Sequence, residues 1–257
     1  MASRDLPLYQ ETETARLRAD TAAAAGILRE VDTVVGIDDS GSMTKFWNQV
    51  EELLGLIAPV CTKYDEDGID VHFLNHRSAD KGDAGAGQAP FGYYGLRSYQ
   101  EIKALLTFTP RGLTPSVEHV DKILTYYIDA YEQAIRSGRN LKPLSYIFIT
   151  DGVSTDKDDD ENYNLKTIIV KHARRLQQLG APKTQVGLQL FQIGRDKEVR
   201  KEFKMLDDDL KKEHGLDRDM VDTKSFEDLD KMGGFTPENI MAIVVGAICK
   251  RFDRMGA

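Results

Sequence analysis

From residue 31 onward, short apolar runs rich in β-branched residues alternate with segments whose apolar side chains recur at steps of three and four. This alternation constrains the fold more than any other feature. Strands separated by helices are joined by crossovers, and crossovers give a mostly parallel sheet with helices on both faces. The first strand is Asp32–Ile37, and a helix follows from about Thr44 to Cys61, with Phe46, Val50, Leu53, Leu54 and Ile57 at helical spacing. Ile69, Val71 and Phe73 alternate with Asp70 and His72 as in a half-buried strand. Arg77–Gly95 is rich in Gly and Ala and reads as a long mobile loop with a short edge strand at its far side. Ser98 is the expected N-cap of a short helix holding Ile102, Leu105 and Leu106.

Pro115–Arg136 carries the clearest helical face, formed by Val117, Val120, Leu124, Tyr127 and Tyr131. Ser145–Thr150 is a short apolar strand of the kind buried at the centre of a sheet. Leu165–Leu179 is helical and stops at Gly180, a suitable C′ residue. Gln185–Ile193 is the next strand, followed by an amphipathic helix through Val199, Phe203, Leu206 and Leu210, an edge strand at Met220-Val221 and a last helix opened by Pro237. One domain over residues 31–254 accounts for this pattern. Residues 1–30 form an extension in which Thr12–Leu28 has alanine-rich helical character, either as a docking helix or as a frayed tail, and 255–257 form a tail.

A formal charge of −8 over 257 residues argues against non-specific nucleic-acid binding, which rests on Lys and Arg neutralising phosphates. The two cysteines, Cys61 and Cys249, sit in apolar helical contexts and read as buried thiols rather than a disulfide. The first thirty residues lack the apolar core of a signal peptide, and no window approaches the length of a membrane span, so a cytoplasmic chain is the expectation.

Three motifs fall at strand ends or helix starts that a parallel sheet brings to one edge. Asp38-Asp39-Ser40-Gly41-Ser42 follows the first strand, Pro110-Arg111-Gly112-Leu113-Thr114-Pro115 precedes the clearest helix, and Thr150-Asp151-Gly152 ends the central strand. Together they offer Asp38, Ser40, Ser42, Thr114 and Asp151, a set of oxygen donors without sulfur or imidazole, which suits Mg²⁺, with Mn²⁺ or Ca²⁺ as alternatives. Two carboxylates at most balance the ion's charge, so an open coordination position would attract an anionic oxygen. Taken alone, Ser42 could equally be a helix N-cap.

Asp-x-Ser-x-Ser, Gly-x-Thr-Pro and Thr-Asp-Gly in this order resemble the von Willebrand factor A-type (integrin I-like) domain over about Val31 to Arg254. Ile37–Met43 and Leu179-Gly180-Ala181-Pro182…Gln185-Val186-Gly187 are closest in flavour to stand-alone A-type proteins of fungi. The resemblance implies a three-layer α/β/α, Rossmann-like fold with an antiparallel edge strand. It implies a metal-ion-dependent adhesion site with Ser40, Ser42 and Thr114 as direct ligands, and Asp38 and Asp151 direct or water-bridged. It further implies a non-catalytic module in which an Asp or Glu of a protein partner completes the metal's coordination, coupled to movement of the last helix, about Pro237 to Arg254. The 77–95 loop is longer and richer in glycine than in compact members.

Two other readings stay open. One is a Mg²⁺-dependent phosphohydrolase with Asp38 as nucleophile and Asp39 as acid, although Arg111 is the sole cation within the three motifs. The other is a scaffold whose metal only locks the loops. Asp156–Glu161 reads as a solvated acidic loop, and His72 and His76 as ordinary histidines. Tyr93, Tyr94 and Tyr99 fit either a contact surface or loop anchors, and Trp47 fits either the rim of the site or the core. No P-loop, dinucleotide fingerprint or nucleophile elbow is present.

Overall fold

Seven consecutive buried residues, Leu144–Thr150, form the strand at the heart of the protein, and no residue of it reaches solvent on either face. Its even-numbered residues Leu144, Tyr146 and Phe148 pack on one side, while Ile147 and Ile149 pack on the other. This is the period-2 division of a strand covered by helices on both faces. The computed structural model describes residues 22–78, 85–152, 154–156, 163–232, 234 and 236–249.

The strands are β1 (Asp32–Ile37), β2 (Ile69–Phe73), β3 (Tyr93–Leu96), β4 (Leu144–Thr150), β5 (Val186–Gln192) and β6 (Val221–Ser225). The helices are α1 (residues 22–29), α2 (Trp47–Tyr64), α3 (Tyr99–Leu105), α4 (Ser116–Arg136), α5 (Leu165–Gln178), α6 (Lys197–Asp208), α7 (Leu210–Glu213), α8 (Phe226–Lys231) and α9 (Pro237–Gly246). The six strands lie in the order β3-β2-β1-β4-β5-β6. All neighbours run parallel except β2 and β3, which pair antiparallel through Ile69↔Leu96 and Val71↔Tyr93. One face packs on α1, α2, α3 and α9, the other on α4, α5 and α6. The result is the three-layer, mostly parallel α/β/α arrangement with an antiparallel edge strand.

The chain runs outward from β1 through β2 to β3, then returns across the sheet to β4 and on to β6. The order therefore reverses between β1 and β4, and the crevice at their carboxyl ends is where open α/β sheets hold ligands.

Several boundaries differ from those expected. The helix predicted from Thr44 begins at Trp47 and runs to Tyr64, preceded by a 3-10 turn over Gly41–Phe46 that Met43 N–H closes on the Ser40 carbonyl at 3.1 Å. The last amphipathic segment is broken at Asp209 into α6 and α7. Ser98 does cap α3, in a reciprocal box with Glu101, and Gly180 terminates α5 at φ 65°. Within the extension, Ala24, Ala25 and Leu28 of α1 are buried in the same core as α2 and α9; residues 12–21 lie outside the described residues, as do 250–257. Cys61 is buried, Cys249 only half so, and both are free thiols. No helix among the described residues is long and apolar enough to cross a membrane.

Candidate metal centre

β1 ends at Ile37, and Asp38 N–H continues its ladder with a bond to the Ile149 carbonyl at 2.9 Å, which sets Asp38 beside the end of β4. Asp38 is fully buried. Its Oδ1 accepts the Ser40 N–H at 2.9 Å and its Oδ2 accepts the Thr150 hydroxyl at 2.7 Å. The turn then rises to solvent: Ser40 is buried and Ser42 is exposed, and their hydroxyl oxygens lie 3.1 Å apart. Neither serine caps a helix with its side chain; α2 has Phe46 at its N-cap, and Ser40 precedes the 3-10 turn without a side-chain capping bond to it. Both hydroxyls are thus kept from the use that serines in such turns commonly serve.

The second loop is tied to this turn by Gly41 N–H to the Gly112 carbonyl at 3.2 Å, by Arg111 N–H to the Asp39 carbonyl at 2.8 Å, and by the Thr44 hydroxyl to the Pro110 carbonyl at 3.2 Å. Gly112 is required here. Its φ is 105°, and a Cβ on it would meet Asn75 Oδ1 at 2.5 Å. Thr114 follows, buried, with its N–H donating to Thr155 Oγ1 at 2.9 Å and its carbonyl accepting Thr155 N–H at 3.0 Å. That reciprocal pair joins the second loop to the third, which carries Asp151, also buried.

Burial holds the Asp38 carboxyl above the usual carboxylate range, opposed by hydrogen bonds from Thr150 and Ser40 and reinforced by the charge of Asp151. None of these groups is cationic. Burial and the charge of Asp151 make an ionised Asp38 costly, and a cation at this position would offset that cost, since buried charge is costly unless paired. The hydroxyl spacing also fits: at metal–oxygen lengths of about 2.0–2.1 Å, adjacent ligands of a Mg²⁺ octahedron lie about 2.9 Å apart. Ser40 and Ser42 would be direct ligands, Thr114 a further hydroxyl from the second loop, and Asp38 and Asp151 the charge. When bound, the ion supplies an electrophilic position for an anionic oxygen.

Several residues at the site were missed or misread from sequence. Thr150 belongs to the third motif but not to the expected ligand set, and it is the donor that orients Asp38. Asp39 is no free acid: its Oδ1 accepts Asn75 N–H at 2.8 Å and Asn75 Nδ2 at 3.2 Å, and its Oδ2 accepts His76 N–H at 2.8 Å. Asp156 is half-buried and accepts the N–H groups of Val117 and Glu118 at the start of α4, so it acts as that helix's cap from a distance. The rest of the acidic run, 157–161, lies outside the described residues. His72 is buried, which pushes its pKa down to about 4, and it meets Tyr94 and His119 edge-on. His76 stacks on Phe108 at 4.2 Å. Tyr94 anchors its loop, donating to the Ala89 carbonyl at 2.6 Å. Trp47 joins α2 to the end of α3, its indole N–H on the Leu106 carbonyl at 3.0 Å.

A second set of carboxylates lies at the opposite end of β1. Asp32, Asp65 and Asp67 bring ligand atoms within 4.8 Å of one another, a set able to hold a metal ion. Lys142 already stands among them, 3.4 Å from Asp32 and 3.8 Å from Asp65 and in contact with Asp67.

No protein-family model matches the chain, and no curated protein sequence matches it. Among solved structures, the chain is similar to the pilus adhesin SpaC of Lactobacillus rhamnosus GG in its open conformation, at a TM-score of 0.41 and 16% sequence identity. The similarity covers 86% of this chain and 30% of the adhesin chain.

Proposed function

We propose that the chain is a von Willebrand factor A-type module that binds protein partners through a divalent cation. In this reading Asp38, Ser40, Ser42, Thr114 and Asp151 hold Mg²⁺, and an Asp or Glu of the partner takes the remaining coordination position. The observation that carries it is the placing of two buried carboxylates, Asp38 and Asp151, with no cation among the main influences on Asp38, beside two hydroxyls 3.1 Å apart that no helix uses as a cap. Strand order supports it too, since Asp38 and Asp151 both follow strands that flank the switch point. A non-catalytic role is favoured by the state of the two aspartates that hydrolysis would need. Asp38 is fully buried with both oxygens hydrogen-bonded, and Asp39 is saturated by Asn75 and His76.

The test is to capture partners from the native source on immobilised protein in Mg²⁺, then elute with EDTA. Partners released by EDTA and not captured by Ser42→Ala or Asp38→Ala support the proposal. Partners that stay bound through EDTA and bind both variants equally overturn it, and metal-dependent turnover of phosphate esters lost in Asp38→Ala would favour the hydrolase instead.

A further inference from the structure

Beside the metal centre opens a cleft of about 480 Å³ lined by Asp39, Asn75, His76, Arg77, Phe108 and Arg111. Its electrostatic character is opposite to that of the chain as a whole, which carries a formal charge of −8. The one carboxylate in the lining, Asp39, has both oxygens turned to the main-chain N–H groups of Asn75 and His76 and the Asn75 amide, and its single negative charge stands against two guanidinium groups. Arg111 is held in place by its own N–H on the Asp39 carbonyl, and its side chain is exposed. Arg77 is exposed as well and stands on the wall between this cleft and a neighbouring cavity, its guanidinium 5.4 Å over the Phe91 ring and near Lys122, a face contact that leaves the N–H edge available. Among the described residues, neither guanidinium is ion-paired with a carboxylate. On the other side of Gly112 stands Leu113, 70% exposed and immediately before the metal-site residue Thr114.

These features define one kind of ligand. We propose that the Arg77–Arg111 cleft is an anion subsite for a second carboxylate of the same partner, so that the segment recognised carries two acidic residues a few positions apart with an apolar residue beside the first. The proposal rests on the metal-dependent reading above and adds to it what selects the partner. A lone carboxylate at a metal is a weak discriminator, because every protein surface has such groups. A guanidinium fork reads a carboxylate's planar geometry bidentately, and a second contact on one peptide is made at little further loss of freedom. Leu113 supplies an apolar contact between the two charged ones.

The test uses a random twelve-residue peptide library displayed on phage, selected on wild-type protein, on Arg77→Gln/Arg111→Gln and on Ser42→Ala, each in Mg²⁺ and in EDTA. Wild-type protein in Mg²⁺ is expected to enrich paired acids, the arginine variant to enrich single acids, and a selected paired-acid peptide to bind the arginine variant at least about tenfold more weakly, the size of one lost charge-assisted hydrogen bond. Single acids on both wild type and the arginine variant would overturn the subsite and leave the metal reading standing. Paired acids enriched equally in EDTA and on Ser42→Ala, but lost with the arginines, would uphold the subsite and overturn the metal reading. Absence of any acidic enrichment overturns both.

Discussion

Thr150 donates its hydroxyl to Asp38 across the β1–β4 boundary at 2.7 Å, joining the ends of the two strands between which the sheet reverses order. The same oxygen accepts Gly152 N–H at 2.9 Å, so one hydroxyl sets both the first carboxylate of the site and the turn that carries Asp151. Replacing it in Thr150→Val keeps the β-branched shape and takes a hydrogen bond from one buried partner, Asp38, and one half-buried partner, Gly152. Stability should fall by about 1–3 kcal/mol, read from urea unfolding without metal, and Mg²⁺ affinity should fall with it. An unchanged midpoint would show that this bond does not organise the site.

The raised pKa of Asp38 gives the site a pH signature. Its folded value lies above its unfolded one, so the stability it contributes is fully present below the unfolded value and is lost as pH rises through the folded one. Metal binding opposes this, because the ion needs the ionised carboxylate. Mg²⁺ should therefore raise the melting temperature more at about pH 7 than at about pH 5. A metal-induced rise that is the same at both values would count against Asp38 as part of the ion's charge.

At the other end of β1, burial pushes the Asp65 carboxyl up to about 7, helped by its hydrogen bond with Asp67. The sign is again that of a raised carboxyl: its contribution is complete below its unfolded value and is lost as pH climbs through about 7. In Asp65→Asn the amide oxygen can still accept the Thr33 N–H that now reaches Asp65 Oδ2 at 3.0 Å. The variant should gain on wild type by about 1 kcal/mol or more between about pH 5 and pH 8, measured as the difference in unfolding free energy across that range. A difference that does not change with pH would mean the carboxyl titrates normally.

Gly152 has φ 86°, and a Cβ on it would meet Val199 Cγ1 at 2.0 Å. Gly138 has φ 65° but open space around it. Comparing the two alanine variants separates backbone strain from collision. Gly138→Ala should cost about 1 kcal/mol, while Gly152→Ala should cost roughly 2–4 kcal/mol and weaken metal binding by displacing Asp151 from its turn. Equal losses in urea unfolding would contradict the close approach to α6.

Much of this was legible in the chain because it is local. β4 announces itself as an uninterrupted apolar run, and α4 by a face repeating at steps of three and four. Asp38, Ser40 and Ser42 are legible because they directly follow a strand. What stayed hidden depends on strand register and on groups far apart in sequence. Asp39 meets Asn75 36 residues later, and Asp156 accepts the N–H of Val117, 39 residues before it, in the first turn of α4. Both looked like free or solvated acids because a carboxylate's partner is set by the fold and not by its neighbours. The 3-10 turn was read as the start of α2 for a related reason: apolar spacing locates a helical face but not the tighter hydrogen bonding of its first turn.

The most direct test of the metal centre is a titration with Mn²⁺ followed by electron paramagnetic resonance, on wild type, Ser40→Ala/Ser42→Ala and Asp67→Asn. The account predicts a saturable site in wild type that Mg²⁺ displaces, that survives in Asp67→Asn and that is lost in the double serine variant. Binding that persists without the two serines, or that disappears with Asp67, would contradict it and move the ion to the opposite end of β1.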